Sequence, residues 1–399
     1  MKEVATKIKY IGVNDNEIDL FEGQYIVPEG MTYNSYLIVD EKIALMDTVD
    51  KTKTEEWLSN LEEALNGREP DYLVVSHLEE DHAGSIEEVL NKYPKMQIVL
   101  NPVSARMFAQ FFDLDIGSRT VLVKEGDTLE LGEHTLKFLM AAMVHWPEVM
   151  FTYEESTQTL FTADGFGKFG ANKLENVVYN FEEGKEIDWK NIWDDEARRY
   201  YINICGKYGP QVQAVLGKLN TLSAGVKTIC PLHGPVLTGN LSHYIDLYNK
   251  WSKYEPEEDG TLIVYGTIHG NTEEAAKKLY EMLKSQGKNV EIMDIARCDM
   301  ADAIARAYQY SKLAILSVTY NMSIFPKMNL FVTLLKEKNY QNRKVAIVEN
   351  GSWAPNAANV IKGVLSEMKD IELIEPVVTI KSKLNEETTA KLQELADVL

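Results

Sequence analysis

The sequence predicts an α/β protein of two domains, on three observations. Its 399 residues are too many for one ordinary hydrophobic core. Residues 1–252 mix strand-like and helix-like runs without regular alternation, which suits a layered α/β domain with its sheets inside. Residues 260–399 alternate five strands with five helices, the rhythm of a doubly wound five-stranded parallel sheet. Between them, KWSKYEPEEDG is charged, holds Pro256 and ends on Gly260, so residues 253–259 read as a linker.

In the first part the expected strands are YNSYLIVD, KIALMDTV, DYLVVSH, QIVLN, TLKFLMAAMVH, TLFTAD and KTICPLH, with helices near 53–65 and 86–92. In the second, the strand TLIVYG leads into the helix TEEAAKKLYEMLKSQG, which Gly287 stops. Then follow NVEIMDI, a short helix after Asp299, KLAILSV, the helix PKMNLFVTLLKEK, KVAIVEN, a helix after Pro355, LIEPVVTI and a last helix to Leu399.

Hydrophobic residues make up 45% and charged residues 26%, values of a water-soluble globular chain. A formal net charge of −20 repels nucleic acid and anionic membranes, so neither is expected as a partner. Any bound phosphate must then be held by local backbone donors. The three cysteines, Cys205, Cys230 and Cys298, are far apart and form no C-x-x-C, which points to a reducing compartment and away from thiolate metal ligation. The N-terminal stretch lacks the apolar core of a signal peptide, and no run reaches the length of a membrane span. The expected location is cytoplasmic.

Chemistry concentrates in SHLEEDHAGS, residues 76–85. His77, Glu79 and Asp81 alternate, so in an extended segment they share a side, and His82 joins them if the chain turns. His145, Asp164 and His233 each follow a separate expected strand, where α/β proteins build their sites. A lone histidine at such a place usually caps a strand or satisfies a core hydrogen bond; seven ligand-type residues in this pattern point to a metal centre. Four imidazoles and three carboxylates suit two ions that change charge, although the residue types alone also admit zinc or manganese. His134 and His243 match no such context.

The constellation resembles that of the metallo-β-lactamase fold, whose hydrolases carry H-x-H-x-D-H; here Glu79 replaces the second histidine. With a flavodoxin-like half following, the whole chain resembles a flavodiiron protein of the two-domain type. The resemblance implies an αββα sandwich in the first domain and two iron ions. His77, Glu79 and His145 would hold one, and Asp81, His82 and His233 the other, with Asp164 bridging. HWPE at 145–148 and RRYYINICGKYGPQV at 198–212 also resemble the family, though aspartate is frequent where Glu148 stands.

Three loops suit a flavin. YGTIHGNTEEAA leaves the first strand of the second domain, with Thr267, Ile268, His269, Gly270, Asn271 and Thr272 at a helix start that favours an anion. The plainer reading is an N-cap at Thr272 followed by acidic residues. Val318, Thr319, Tyr320 and Asn321 leave the third strand; Asn350, Gly351, Ser352 and Trp353 leave the fourth. Such loops meet at the switch point of a doubly wound sheet, where flavodoxins bind FMN. His269 and Val318 depart from the flavodoxin pattern, and His269 reads as lying near the phosphate or ring. Trp353 either stacks on the isoalloxazine or packs internally.

The resemblance implies an oxidoreductase that reduces O2 to water, NO to N2O, or both, with electrons relayed through FMN. It also implies an external donor such as rubredoxin or its reductase, or a reduced deazaflavin, and a head-to-tail homodimer or dimer of dimers. No C-x-x-C pair marks a fused rubredoxin module. Two rivals stand beside it: a dinuclear zinc hydrolase with an appended flavodoxin module, and a non-catalytic electron carrier or redox sensor.

Overall fold

The computed structural model describes residues 2–172, 176–181 and 190–399. Its chain divides into two compact units, one made of residues 1–201 and 210–249, the other of 202–209 and 250–399. The segment 202–209 goes with the second unit because Asn203 donates to the Ala301 carbonyl and receives Lys338, while the Lys207 carbonyl accepts from Asn339. The last strand-free stretch before the second sheet is shorter than the expected linker, since the strand begins at Glu258 and Tyr254 is buried.

The first unit stacks two sheets, each of seven strands among the described residues. One runs in the order Lys2–Ala5, Ile8–Tyr10, Tyr36–Val39, Ile43–Met46, Tyr72–Val74, Gln97–Leu100, Thr120–Leu122. It is antiparallel to Ile43–Met46 and parallel beyond. The other holds Thr135–Met140, Met150–Glu154, Thr159–Phe161 and Thr228–Cys230 at its centre. Ile38, Ala44, Met46, Val74 and Val99 from the first sheet meet Leu136, Phe138, Met150, Phe161 and Cys230 from the second in one core. The alternate residues Leu37, Leu45, Leu73 and Ile98 are equally buried, so this sheet is covered on both faces, as an αββα sandwich requires. The helix Thr54–Leu65 contributes Trp57, Leu61 and Leu65 to the buried interior.

Several first-domain elements escaped the sequence pattern. The hairpins Lys2–Ala5 with Ile8–Tyr10 and Leu20–Phe21 with Tyr25–Ile26 are too short to show a period. The run TLKFLMAAMVH is strand only to Met140; residues 141–149 form a loop returning to Met150–Glu154, so His145 lies within a loop and not at a strand end.

The second unit has five parallel strands in the order Val290–Asp294, Glu258–Gly266, Tyr310–Tyr320, Arg343–Asn350, Ile371–Ile380, with the two-residue strand Ser323–Ile324 pairing antiparallel to Tyr310–Tyr320 off that path. Helices Asn271–Ser285 and Glu386–Val398 pack on one face through Ala275, Leu279, Leu392 and Leu395. Helices Met300–Gln309, Pro326–Glu337 and Ala357–Leu365 pack beside one another against the strands from the other side. Sequence order 2-1-3-4-5 puts the switch point between the first and third strands, where their outgoing loops open a crevice.

Candidate metal centre and flavin cleft

The strand Tyr72–Val74 delivers His77 and Glu79 in extended chain, after which the backbone turns. The turn comes earlier than the alternation suggested. Glu79 is the N-cap of a one-turn helix, Glu80–Ala83, and its carbonyl accepts from the His82 and Ala83 N–H groups. Asp81 and His82 therefore face a second position through helical geometry, and the three-residue extended alignment does not form. Gly84 follows this turn where no side chain fits, since a Cβ there would sit 2.6 Å from the Lys51 backbone nitrogen. Thr48 pins the helix by donating its hydroxyl to the His82 carbonyl at 2.7 Å. Asp164 is held in a tight turn closed by the Gly165 N–H to the Thr162 carbonyl at 2.8 Å.

All seven sequence-predicted residues converge into two groups. His77, Glu79, His145 and Asp164 form one; Asp81, His82 and His233 form the other. In the first, Glu79 Oε2 lies 3.2 Å from His77 Nε2 and 3.1 Å from His145 Nε2, while Asp164 Oδ2 lies 3.0 Å from His145 Nε2. In the second, Asp81 Oδ2 lies 3.1 Å from His233 Nε2, and the Nε2 atoms of His82 and His233 are 3.0 Å apart. Asp164 Oδ1 points at this group, 3.0 Å from His82 Nε2. One carboxylate thus gives each oxygen to a different group.

The donor chemistry fits cations. His77 Nδ1 lies 2.7 Å from Glu148 Oε1, and His233 Nδ1 lies 2.7 Å from the Thr32 carbonyl oxygen. Both partners only accept, so both Nδ1 atoms carry hydrogen, and each ring turns its Nε2 toward the cluster, the atom that would bind a cation in place of a proton. The facing Nε2 atoms of His82 and His233, 3.0 Å apart, repel unless a proton or a cation lies between them. Both Asp81 oxygens and Asp164 Oδ1 are buried without a hydrogen-bond partner. Such orphaned acceptors are what a metal satisfies, and the imidazole-to-carboxylate contacts behind them are the usual support of metal-bound histidines.

The site's protonation tells the same story. Burial works against protonating His145, yet Asp164 and Glu79 push it up to about 9. Burial likewise opposes it at His77, but Glu148 and Glu79 hold that imidazole well above its ordinary range. Burial would raise the Glu79 carboxyl, and the hydrogen bonds from His145 and His77 bring it down to about 2. Protons are drawn to the place a cation would take.

Two contributors were not legible as such in the sequence. Glu148 is buried, binds His77 Nδ1 and the Leu78 N–H at 3.0 Å, and so orients the first histidine of the cluster. Its place in HWPE was the only signal. Glu22, in the turn between Leu20–Phe21 and Tyr25–Ile26, is pushed up to about 7 by burial and then by the charge of Glu79. The neighbouring Phe21 ring packs nearly perpendicular to the His233 ring, their centres 5.2 Å apart. His134 and His243 lie apart and have local partners: Asp40 Oδ2 at 2.8 Å and Asp194 Oδ1 at 2.7 Å.

In the second unit, the loops after the first, third, fourth and fifth strands form an open cleft of about 170 Å³. It is lined by Thr267, Ile268, His269, Asn271 and Thr272, by Val318, Thr319 and Asn321, and by Asn350, Gly351, Ser352 and Trp353, with Met322, Ala354 and Ser382 in addition. Gly270 and Tyr320 do not line it. Gly270, at φ +90°, makes the turn and is the N-cap of Asn271–Ser285. Thr272 is therefore inside the helix and is not its N-cap; no side chain caps the leading N–H groups, which stay available to an anion. Asn350 exchanges hydrogen bonds with the Ser382 backbone, both at 2.9 Å, so it joins two loops. Thr319 Oγ1 accepts from the Asn356 N–H at 2.9 Å and so shapes the fourth-strand loop. Trp353 is 82% exposed, which removes the packing alternative, and with half-exposed Ile268 and Met322 it gives a neutral polar cleft an apolar rim. That combination fits a planar aromatic cofactor with a phosphate tail.

Residues 31–234 match the family model described as ODP family beta lactamase, and residues 263–391 match Flavodoxin. The chain belongs to the flavodiiron proteins. Its cofactors are accordingly a diiron centre and FMN, and it is a flavodiiron oxidoreductase. It is 27% identical to the anaerobic nitric oxide reductase flavorubredoxin of Salmonella typhi, over 89% of this chain and 73% of that one. Rubredoxin oxygen:oxidoreductase from Desulfovibrio gigas superposes with a TM-score of 0.90 at 25% identity, covering 99% of this chain and 96% of that chain. The flavodiiron protein from Giardia intestinalis has the same fold, with a TM-score of 0.88 at 24% identity, over 100% and 95% of the two chains. No helix among the described residues of this flavodiiron protein is long and apolar enough to cross a membrane.

Proposed function

We propose that this flavodiiron protein reduces O2 to water, NO to N2O, or both, taking electrons through FMN from an external donor. The observation that carries the reading is the split carboxylate of Asp164, with Oδ2 in one ligand group and Oδ1 aimed at the other. His77, Glu79, His145 and Asp164 would hold one iron; Asp81, His82, His233 and Asp164 the second. When bound, the diferrous pair supplies two electrons and reduced FMN two more, against the four needed for O2 and the two for joining two NO molecules.

The chain's own contribution is to bind and orient. Glu148 and the Thr32 carbonyl fix two imidazoles with Nε2 inward. Trp146 packs perpendicular to the His77 ring, their centres 5.1 Å apart, and covers that side. Anionic Glu79 gives the site a harder ligand than imidazole, which favours a redox-active ion over the zinc of the hydrolase alternative. The loop 267–272 would take the FMN phosphate, and residues 318–321 and 350–353 would flank the ring. No protein nucleophile is needed. A donor such as rubredoxin, its reductase or a reduced deazaflavin fits this scheme, as does a head-to-tail homodimer or dimer of dimers, which light scattering would check.

Full-length protein carrying iron and FMN, reduced anaerobically and mixed in a stopped-flow instrument with O2 and separately with NO, tests the reading. Both cofactors should reoxidise with at least one gas. Glu79→His and His145→Ala should each abolish turnover and keep the flavin spectrum. Loaded, reduced protein that neither gas oxidises would overturn it.

A further inference from the structure

We propose that His269 is a pH-dependent clamp on the FMN phosphate, so that flavin affinity in this protein falls as the solution becomes alkaline. The inference rests on the reading of the second-domain cleft as the FMN site. Among the fifteen residues that line the cleft, His269 is the only one with an ionisable side chain. Everything else there is a hydroxyl, an amide, a glycine or an apolar group. A phosphate monoester carries close to two negative charges at neutral pH. Neutral donors and a helix start can hold it, but here no fixed cation in the cleft balances its charge.

His269 is well placed for that role. It is exposed, immediately precedes Gly270, and so sits at the open N-terminus of a fifteen-residue helix. The Gly270 N–H is taken by Thr267 Oγ1 at 3.1 Å, which holds the loop closed beneath it. The charged groups nearby on other elements lie outside the cleft lining. Glu273 and Glu274 occupy the first helical turn, with Glu273 paired to Lys277 at 2.6 Å. Lys381 and Lys383 flank Ser382 and are exposed. Histidine is the side chain that changes charge between pH 5 and 8, so the clamp would be present in acid and lost in base.

The test compares FMN with riboflavin, which lacks the phosphate, binding to full-length protein freed of flavin, by fluorescence quenching from pH 6 to 8.5. The FMN dissociation constant should rise about two- to fivefold across that range, the scale of one exposed charge pair. Riboflavin affinity should stay level. H269Q should lose the rise, and H269K, charged throughout, should bind FMN tightly at both ends. A wild-type slope retained in H269Q, or shared by riboflavin, overturns the clamp alone. Failure of FMN to bind at any pH overturns the cleft assignment and the clamp with it.

Discussion

The two sites of this chain are built on opposite electrostatic plans. The metal centre is dry and crowded with charge: His77, His82, His233 and Asp164 are all at most 1% exposed, and His77 and His233 are held from behind by Glu148 and the Thr32 carbonyl. The flavin cleft is open and almost uncharged, with Trp353 standing 82% exposed at its rim. The difference follows from what each holds. Small multivalent ions need several anionic or lone-pair donors fixed at short range, and a water-poor site strengthens those contacts. A flavin that must meet an electron donor needs an accessible edge, and its ring is held by surface contact rather than by charge.

The sharpest way to break this contrast is Asp164→Asn. Removing one oxygen's charge from the shared carboxylate should weaken retention of both ions by about 10²–10³-fold, the cost of unpairing a buried charge. Metal analysis should then show loss of both together, while FMN content stays normal. Loss of one ion only would mean that Asp164 does not bridge.

Acidification comes next. In the metal-free site His145 is pushed up to about 9, so below that pH a cation must displace its proton. Metal affinity should therefore fall by about tenfold per pH unit between pH 9 and 7 for that one proton, measured by competition with a chelator. The sign for stability is the same group read the other way. A folded-state value raised above the ordinary 6.5 stabilises the metal-free fold below pH 6.5, and this is lost as pH rises through about 9.

Glu148→Gln should be milder, lowering metal affinity or turnover about 10–100-fold, because the amide can still occupy the space but no longer anchors His77 with a charge. Unchanged metal affinity would show that Glu148 merely fills space. The smallest effect belongs to the open site: Trp353→Ala should weaken FMN about three- to tenfold, the worth of one aromatic contact, with iron content unaltered.

Much of this was legible along the chain. The alternation beyond residue 260 gave the doubly wound sheet because a parallel sheet and its crossovers impose a regular rhythm on hydrophobicity. The seven metal residues could be picked out because ligand-type side chains are rare beside apolar runs, so their clustering stands out. Twelve of the fourteen residues expected at the flavin loops line the cleft. The short N-terminal hairpins were invisible because two- to four-residue strands carry no period. Met322 and Ala354 stand one residue past the loops read from the sequence, and Ser382 enters from the loop after the fifth strand, which carries no motif.

Sequence by itself pointed to the family, the two-part architecture and the seven ligand-type side chains that the fold brings together, since these depend on residue types and spacing. The family resemblance implied how those side chains are shared out, and only the tertiary structure shows what produces the division. It turned the chain into a helix after Glu79, sent Asp81 and His82 to a different position from His77, and aimed each oxygen of Asp164 separately. It also made Glu148 a support for His77 across 71 residues of chain. Direction in space is set by backbone turns and by contacts between distant segments, and neither is written in the local order of residues.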